Sequence, residues 1–443
     1  MKDALVKSSA IDSLEEFLWI GKSVPRPDSL EKALGATQYA GDMEMPGMLH
    51  GRILWAGIPH AVIRAIDTSA AKEVPGVRAV LTAADIPGIN RYGLAVPDQR
   101  VLADDKVRSA ADPVALVAAE TEDAAREALC KIRVDYEPLR PVLTIEDALD
   151  PGAPAIHNGG NFFQHTKVRK GDIEKGVKES DVIVEGTYRT QRMDHVPMEP
   201  EAGLAYLDPS GVLNILVATQ YPFRDRRQIA PALNLSMNKV RVIQAPIGGG
   251  FGRKDDITVE IHVGLLALKT RRPVRLVYSR EESLIANTKR HPMLMMFRTG
   301  ARADGRMTFV DGDIYGDTGC GLSLGAYVIK KAGIHAAGPY FIPNIRVDTY
   351  TLYTNNPPSG AMRGFGVLQA AVAHESQMDK LAHKLGISPL EIRLINCLKP
   401  GLASSTGQVM NEGCGIEATL RRIKEHMESR QLRFNRPWQK SGA

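Results

Sequence analysis

The stretch Gly248–Gly252, "GGGFG", constrains this chain more than any other. Bare backbone of that kind cannot form part of a regular helix or strand without cost, so it reads as a loop. It follows "KVRVIQA" (Lys239–Ala245), which reads as a strand, and precedes "DDITVEIHVGLLALKT", which the pattern predicts as the helix leaving the loop. A strand–glycine loop–helix unit gathers free N–H groups and a positive helix end at one spot. Two familiar anion-binding patterns fail here. A Walker loop needs Ser or Thr after its lysine, but Lys254 is followed by Asp255. A dinucleotide fingerprint needs a small third residue, and Gly250-x-Gly252-x-x ends in Asp255. Taken alone, the glycines are equally compatible with a tight turn that holds no ligand.

A second stretch, "NNPPSGAMRGFGVLQA" (Asn355–Ala370), repeats the idea as Arg363-Gly364-Phe365-Gly366. Glycine lets backbone approach closely, phenylalanine offers a ring face, and arginine supplies a forked cation. Two such loops suggest a flat ligand approached from two sides.

The rest of the chain is an α/β pattern of 443 residues, enough for two or three domains. Strands are predicted at His50–Gly57, Val77–Ile86 and Pro113–Glu120. Thr121 caps a helix with Ala125, Ala128, Leu129 and Ile132 on one face, and "RVDYEPL" is the next strand. The Pro/Gly/Asn-rich run Asp150–Asn161 reads as a linker. Beyond it "DVIVEGTYRT", "LNILVATQ" and "PVRLVYS" read as strands and "PLEIRLINCL" as a helix.

Composition excludes several classes. Net charge is +5 with basic residues scattered, so no nucleic-acid stripe is present. Cys130, Cys320, Cys397 and Cys414 form no CxxC or Cys/His cluster, which argues against iron–sulfur or zinc ligation by this chain. No run is long and apolar enough to span a bilayer, and the start lacks the order of a signal peptide, so a cytoplasmic location is expected. His195 and Glu199 have zinc-like spacing, but Pro197 and Pro200 break the helix it would need. Cys320 between two glycines reads as a small buried thiol rather than a nucleophile. His291 leads a Met-rich run that reads as strand or core, and Ser359 lacks a hydrolase elbow.

The "GGGFG-x-K" and "RGFG-x-x-Q" loops occur together with Thr219–Gln220, "HVPMEP" (His195–Pro200) and "IPNIR" (Ile342–Arg346). With them the sequence resembles the molybdenum hydroxylases, the xanthine dehydrogenase and aldehyde oxidase family. The resemblance implies an α+β fold. A lead-in over 1–22 precedes an N-terminal α/β-hammerhead domain over 23–150. A first molybdopterin-binding domain of mixed α/β architecture follows over 151–430, then a polar tail over 431–443. In the family a second molybdopterin domain follows and carries the base glutamate; here it is expected on another chain. Separate 2Fe-2S and FAD subunits are expected as well, with neither group in this chain. The implied cofactor is molybdopterin, in its cytosine dinucleotide form, with molybdenum held by the pterin dithiolene and by no side chain.

The resemblance also assigns roles. Gln220 resembles the glutamine that hydrogen-bonds an oxygen ligand of molybdenum. Gly249, Gly250, Phe251 and Gly252 resemble the loop whose N–H groups face the cofactor. Arg363 matches the arginine near cofactor and substrate, and Phe365 the ring that stacks on an aromatic substrate. Asp255 stands where purine oxidisers have an acidic substrate contact, and Lys331 where they have a substrate arginine. The implied reaction is hydroxylation of an electron-poor carbon with water as oxygen source. Lys331 and Arg363 suit a nicotinate-like heterocycle bearing a carboxylate, whereas Asp255 suits a purine N–H. A purine or xanthine dehydrogenase, an aldehyde oxidoreductase, and a non-catalytic pterin-binding or assembly homologue are the alternatives. Ala361-Met362 ahead of Arg363 disfavours a carbon monoxide dehydrogenase, which carries a cysteine there.

Overall fold

The computed structural model describes residues 17–430; most of the expected lead-in and the polar tail lie outside them. Three sheets build the described chain. The largest has seven strands, in the order Val240–Gln244, Leu213–Val217, Ala202–Leu207, Val274–Val277, Leu49–Trp55, Pro113–Ala119 and Val77–Leu81. It takes strands from both sides of the Asp150–Asn161 run, joined where Leu49–Trp55 lies parallel to Val274–Val277.

Every residue of Pro113–Ala119 is buried, because helices cover both faces. Leu116 and Ala118 share a core with Leu265 and Leu266 of the helix Glu260–Thr270. Ala115, Val117 and Ala119 meet Ala125 and Ala128 of the helix Glu122–Lys131 on the other face. The period-2 alternation of the strand is thus spent on two different cores. Thr121 caps the latter helix as expected, accepting from Ala124 N.

A five-stranded sheet runs Phe162–Lys170, Asn344–Leu352, Met307–Asp317, Met293–Ala301 and Val182–Thr190. The Met-rich run after His291 is one of its strands, with Met293 and Met295 in the core. Helices Gly325–Ile334 and Val367–Leu385 cover one face. Ala370, Ala373, Met378 and Leu381 of the longer helix pack there. The other face carries Arg346 between Asp313 and Asp348, beside the stacked rings of Tyr315 and Tyr350 at 4.6 Å. A three-stranded sheet, Lys106–Val107, Ala61–Asp67 and Arg133–Pro138, completes the N-terminal part.

One local expectation is corrected. The helix after the glycine loop starts at Glu260, not at Asp255. A single 3₁₀ turn, Arg253–Asp255, comes first, and Asp256 is extended. Burial explains the delay: Arg253, Lys254, Asp255 and Asp256 are all buried and engaged by tertiary partners, which overrides local helix preference.

Candidate functional site: two glycine–phenylalanine loops

The two loops meet. Arg363 N–H donates to Phe251 O at 2.9 Å. Gly252 has φ of 101°, and a Cβ there would lie 2.7 Å from Ala361 O. Gly366, at φ 94°, is pressed against the helix Gly325–Ile334; its Cβ would lie 2.2 Å from Val328 O. Both phenylalanines also sit at positive φ, 58° for Phe251 and 48° for Phe365. Val196 (45°) and Ser323 (47°) adopt the same strained region. Strain of this kind costs about 1–3 kcal/mol per residue and persists only where surroundings enforce it. Residues 196 and 323 belong to segments that contact the loops, so the strain is concentrated here.

Buried charge enforces the first loop. Lys254, 1% exposed, pairs with Glu199 Oε2 at 2.5 Å, and the same oxygen accepts Gly248 N–H at 2.7 Å. Arg253, fully buried, pairs with Glu201 at 2.5 Å, with Asp194, and with the Ser283 carbonyl. Lys289 reaches Asp194 at 2.8 Å, and burial pushes its ammonium down to about 8 against that pull. Sequence reasoning missed these anchors. Their signal was present in the two cations after Gly252 and the acids of "MEPEA", which a loop on the surface would not need.

His195 ties the "HVPMEP" segment to the second loop, donating from Nε2 to Ala361 O at 2.7 Å. Burial pushes its imidazole down to about 4, so it is neutral at pH 7. It is a strut, and no group of three or more metal-ligating side chains exists among the described residues.

The expected site residues fall as follows. Gln220 is brought to the loop: its Oε1 accepts Gly252 N–H at 3.2 Å, which leaves the amide N–H donors for a ligand. The N–H groups of Gly249, Gly250 and Phe251 have no acceptor among the described residues. Gly250 also leaves room that a Cβ, 2.6 Å from Gln220 Oε1, would fill. Phe251 is 51% exposed. Phe365 leans partly on the core of the five-stranded sheet. The Arg363 side chain is exposed, and no ion pair or hydrogen bond engages it among the described residues. Lys331 is exposed on the helix that Gly366 abuts, one turn beyond Val328. Asp255 is set back from the loop. It is 8% exposed, with Arg224 3.8 Å from one carboxylate oxygen, and burial raises its carboxyl.

These features fit a pterin-bound metal group with oxygen ligands: orphan N–H donors, an amide, a free guanidinium, and naked backbone where a side chain would collide. Cys320 is buried, as its sequence context suggested, and burial raises its thiol.

Residues 156–397 match the molybdopterin cofactor-binding domain, and residues 34–140 match the aldehyde oxidase and xanthine dehydrogenase a/b hammerhead domain. The nicotinate dehydrogenase large molybdopterin subunit of Eubacterium barkeri is 45% identical over 411 residues, covering 93% of this chain and 97% of that one. A probable xanthine dehydrogenase component of Bacillus subtilis (strain 168) is 41% identical, covering 85% of this chain and 50% of its own. Among solved structures, the aldehyde oxidoreductase from Desulfovibrio gigas superposes with a TM-score of 0.89 at 32% identity, over 92% of this chain and 46% of that one. Quinoline 2-oxidoreductase from Pseudomonas putida 86 gives 0.87 at 28%, over 93% and 55%. The chain therefore spans nearly all of the first relative and about half of the others.

Proposed function

Because this chain belongs to the aldehyde oxidase and xanthine dehydrogenase family of molybdenum oxidoreductases, we propose that it forms half of the catalytic cavity of a heterocycle hydroxylase. The cofactor-binding part (151–430) would present both loops to a molybdopterin cytosine dinucleotide, with the hammerhead part (23–150) sharing its seven-stranded sheet. A second chain would carry the other cofactor-binding domain and the base glutamate. Iron–sulfur and flavin subunits would take the electrons, and the complex would be cytoplasmic.

When bound, the molybdenum–pterin group supplies the Lewis acid and two-electron acceptor that hydroxylation with water requires. This chain's own residues do the positioning. The N–H groups of Gly249, Gly250 and Phe251 and the Gln220 amide would hold that group by donated hydrogen bonds. Phe365, with Phe251 at the rim, offers a face for a flat ring. Arg363 and Lys331, both exposed cations, hold a substrate carboxylate or stabilise negative charge growing on the heterocycle. That pair favours a nicotinate-like substrate. Asp255 would serve a purine N–H, but its retreat behind the loop beside Arg224 weakens the purine reading.

The single observation that carries the proposal is the row of N–H donors, unpartnered among the described residues, beside Gln220 and Arg363. The test is reconstitution with the second-domain chain and electron-transfer subunits, followed by a screen with a dye acceptor. Nicotinate and related ring carboxylates should be oxidised fastest. Faster turnover of hypoxanthine or benzaldehyde would assign the alternative substrate classes. A molybdenum-loaded complex inert to all three would leave a non-catalytic homologue.

A further inference from the structure

Beneath the glycine loop, the seam between the N-terminal and cofactor-binding parts holds acids that the site above does not use. Asp255 and Asp256 leave the 3₁₀ turn inward. Asp256, 4% exposed, accepts a hydrogen bond from Ser323 Oγ. One residue earlier, Leu322 N–H donates to Asp98 Oδ2 at 2.8 Å, and Tyr353 OH donates to the same oxygen at 2.8 Å. The turn Leu322–Ser323 is therefore gripped by a carboxylate on each side, Asp256 from the loop and Asp98 from the seam.

Asp98 lines two cavities. One, of about 40 Å³, is shared with Tyr92, Gln99, Asp112 and Cys320. The other, of about 530 Å³, opens outward past Arg91, Arg100, Arg108 and Phe163. The buried atoms Asp255 Oδ1, Asp98 Oδ1, Gln99 Nε2 and Thr288 Oγ1 find no partner among the described residues. Of these, Asp98 and Gln99 line the smaller cavity, which has room for roughly two or three waters to partner their free atoms.

We propose that this seam is the proton exit of the oxidation: Asp255 and Asp256 take protons from the loop side, Ser323 and ordered water pass them to Asp98, and the wide cavity releases them. The inference rests on the reading above. There, a substrate C–H and one water become C–OH, two electrons leave for the partner subunits, and two protons remain to be discharged from the site. Burial pushes both Asp256 and Asp98 up to about 6, so each can gain and lose a proton near neutral pH. The groups facing Asp256 are Ser323, Asp255, Arg224, Asp98, the buried carboxyl of Asp225 and the buried phenol of Tyr92. Those facing Asp98 are Tyr353 OH, Leu322 N–H, Asp256 and the buried thiol of Cys320. The arginines of the outer cavity disfavour a proton's return.

The test uses the reconstituted complex, a pH-indicator dye and single-turnover stopped flow. Asp98→Asn keeps an acceptor for Leu322 N–H but carries no exchangeable acid proton. It should slow proton appearance roughly 100-fold while leaving the arrival of electrons at the flavin unchanged, and Asp98→Glu should restore it. Equal proton release in wild type and Asp98→Asn overturns the exit and leaves the oxidation standing. A wild-type complex that oxidises no heterocycle instead refutes the functional reading. Infrared titration without substrate gives the independent readout. A carboxyl stretch should disappear between about pH 5 and 7 and be smaller in Asp256→Asn. Absence of any such titrating band overturns the relay, whether or not the Asp98 variant folds.

Discussion

The two Gly-Phe-Gly loops share a backbone design and differ in what holds it. The first is fixed by buried charge: Lys254 on Glu199, and Arg253 on Glu201 and Asp194. The second is fixed by close approach, Gly366 against Val328 O and Gly252 against Ala361 O, with the neutral His195 as a strut. The difference teaches that a strained turn can be enforced either electrostatically or sterically. The electrostatic route leaves one loop face free to point donors at a ligand, because its anchors all lie beneath it.

The largest effect should come from unbalancing the charge. Arg253→Met leaves Glu201, 1% exposed, without its cation, and should lower stability by about 3–5 kcal/mol in chemical denaturation. Adding Glu201→Gln to that variant should recover part of the loss. Were Arg253→Met neutral, the claim of electrostatic fixing would fail. Next comes the steric loop. Gly366→Ala combines an unfavourable φ with overlap on Val328 O and should cost about 2–3 kcal/mol, where an alanine at the open Gly386, which also has positive φ, should cost less. Equal costs at the two positions would remove the steric half of the contrast.

Arg363→Ala separates function from anchoring. Its side chain holds nothing in the described chain, so stability to denaturant should change by less than about 0.5 kcal/mol. Turnover should fall about 100-fold, or about 2.7 kcal/mol of transition-state stabilisation. The smallest effect is acid sensitivity through His195. Its folded pKa of about 4 lies below its ordinary 6.5, so protonation favours the unfolded chain. That stabilisation is complete above the ordinary value and is lost as pH falls from about 6.5 toward 4. Between pH 6.5 and 5.5 the loss should be about 1 kcal/mol, and His195→Gln should abolish that share of it.

Much of this is legible in the sequence because it rests on local rules. Thr121 before Glu122 and Asp123 announces its helix, and the apolar run Pro113–Glu120 its buried strand. Two Phe residues flanked by glycines mark the loops. Other features are hidden because they depend on partners distant in the chain. Nothing near Arg253 reveals that Glu201 lies under it, so the local pattern starts the helix five residues early. The longest helix, Val367–Leu385, escapes the sequence reading although Ala370, Ala373, Gln377 and Leu381 are spaced three and four apart. The glycines and Pro357-Pro358 ahead of it signal the loop instead. Asp255 illustrates a limit of motif reasoning: its position in the pattern is visible, but not that the turn carries its side chain inward to Arg224.

The parallel pairing of Leu49–Trp55 with Val274–Val277 has a consequence for biosynthesis. During translation the early strands emerge long before their neighbour does. At ordinary ribosomal speeds the delay is roughly 10–40 s, during which one edge of Leu49–Trp55 stays unpaired. Such an edge invites association with other nascent chains, so the yield of this protein should depend on holdase chaperones that shield it until the later strand arrives.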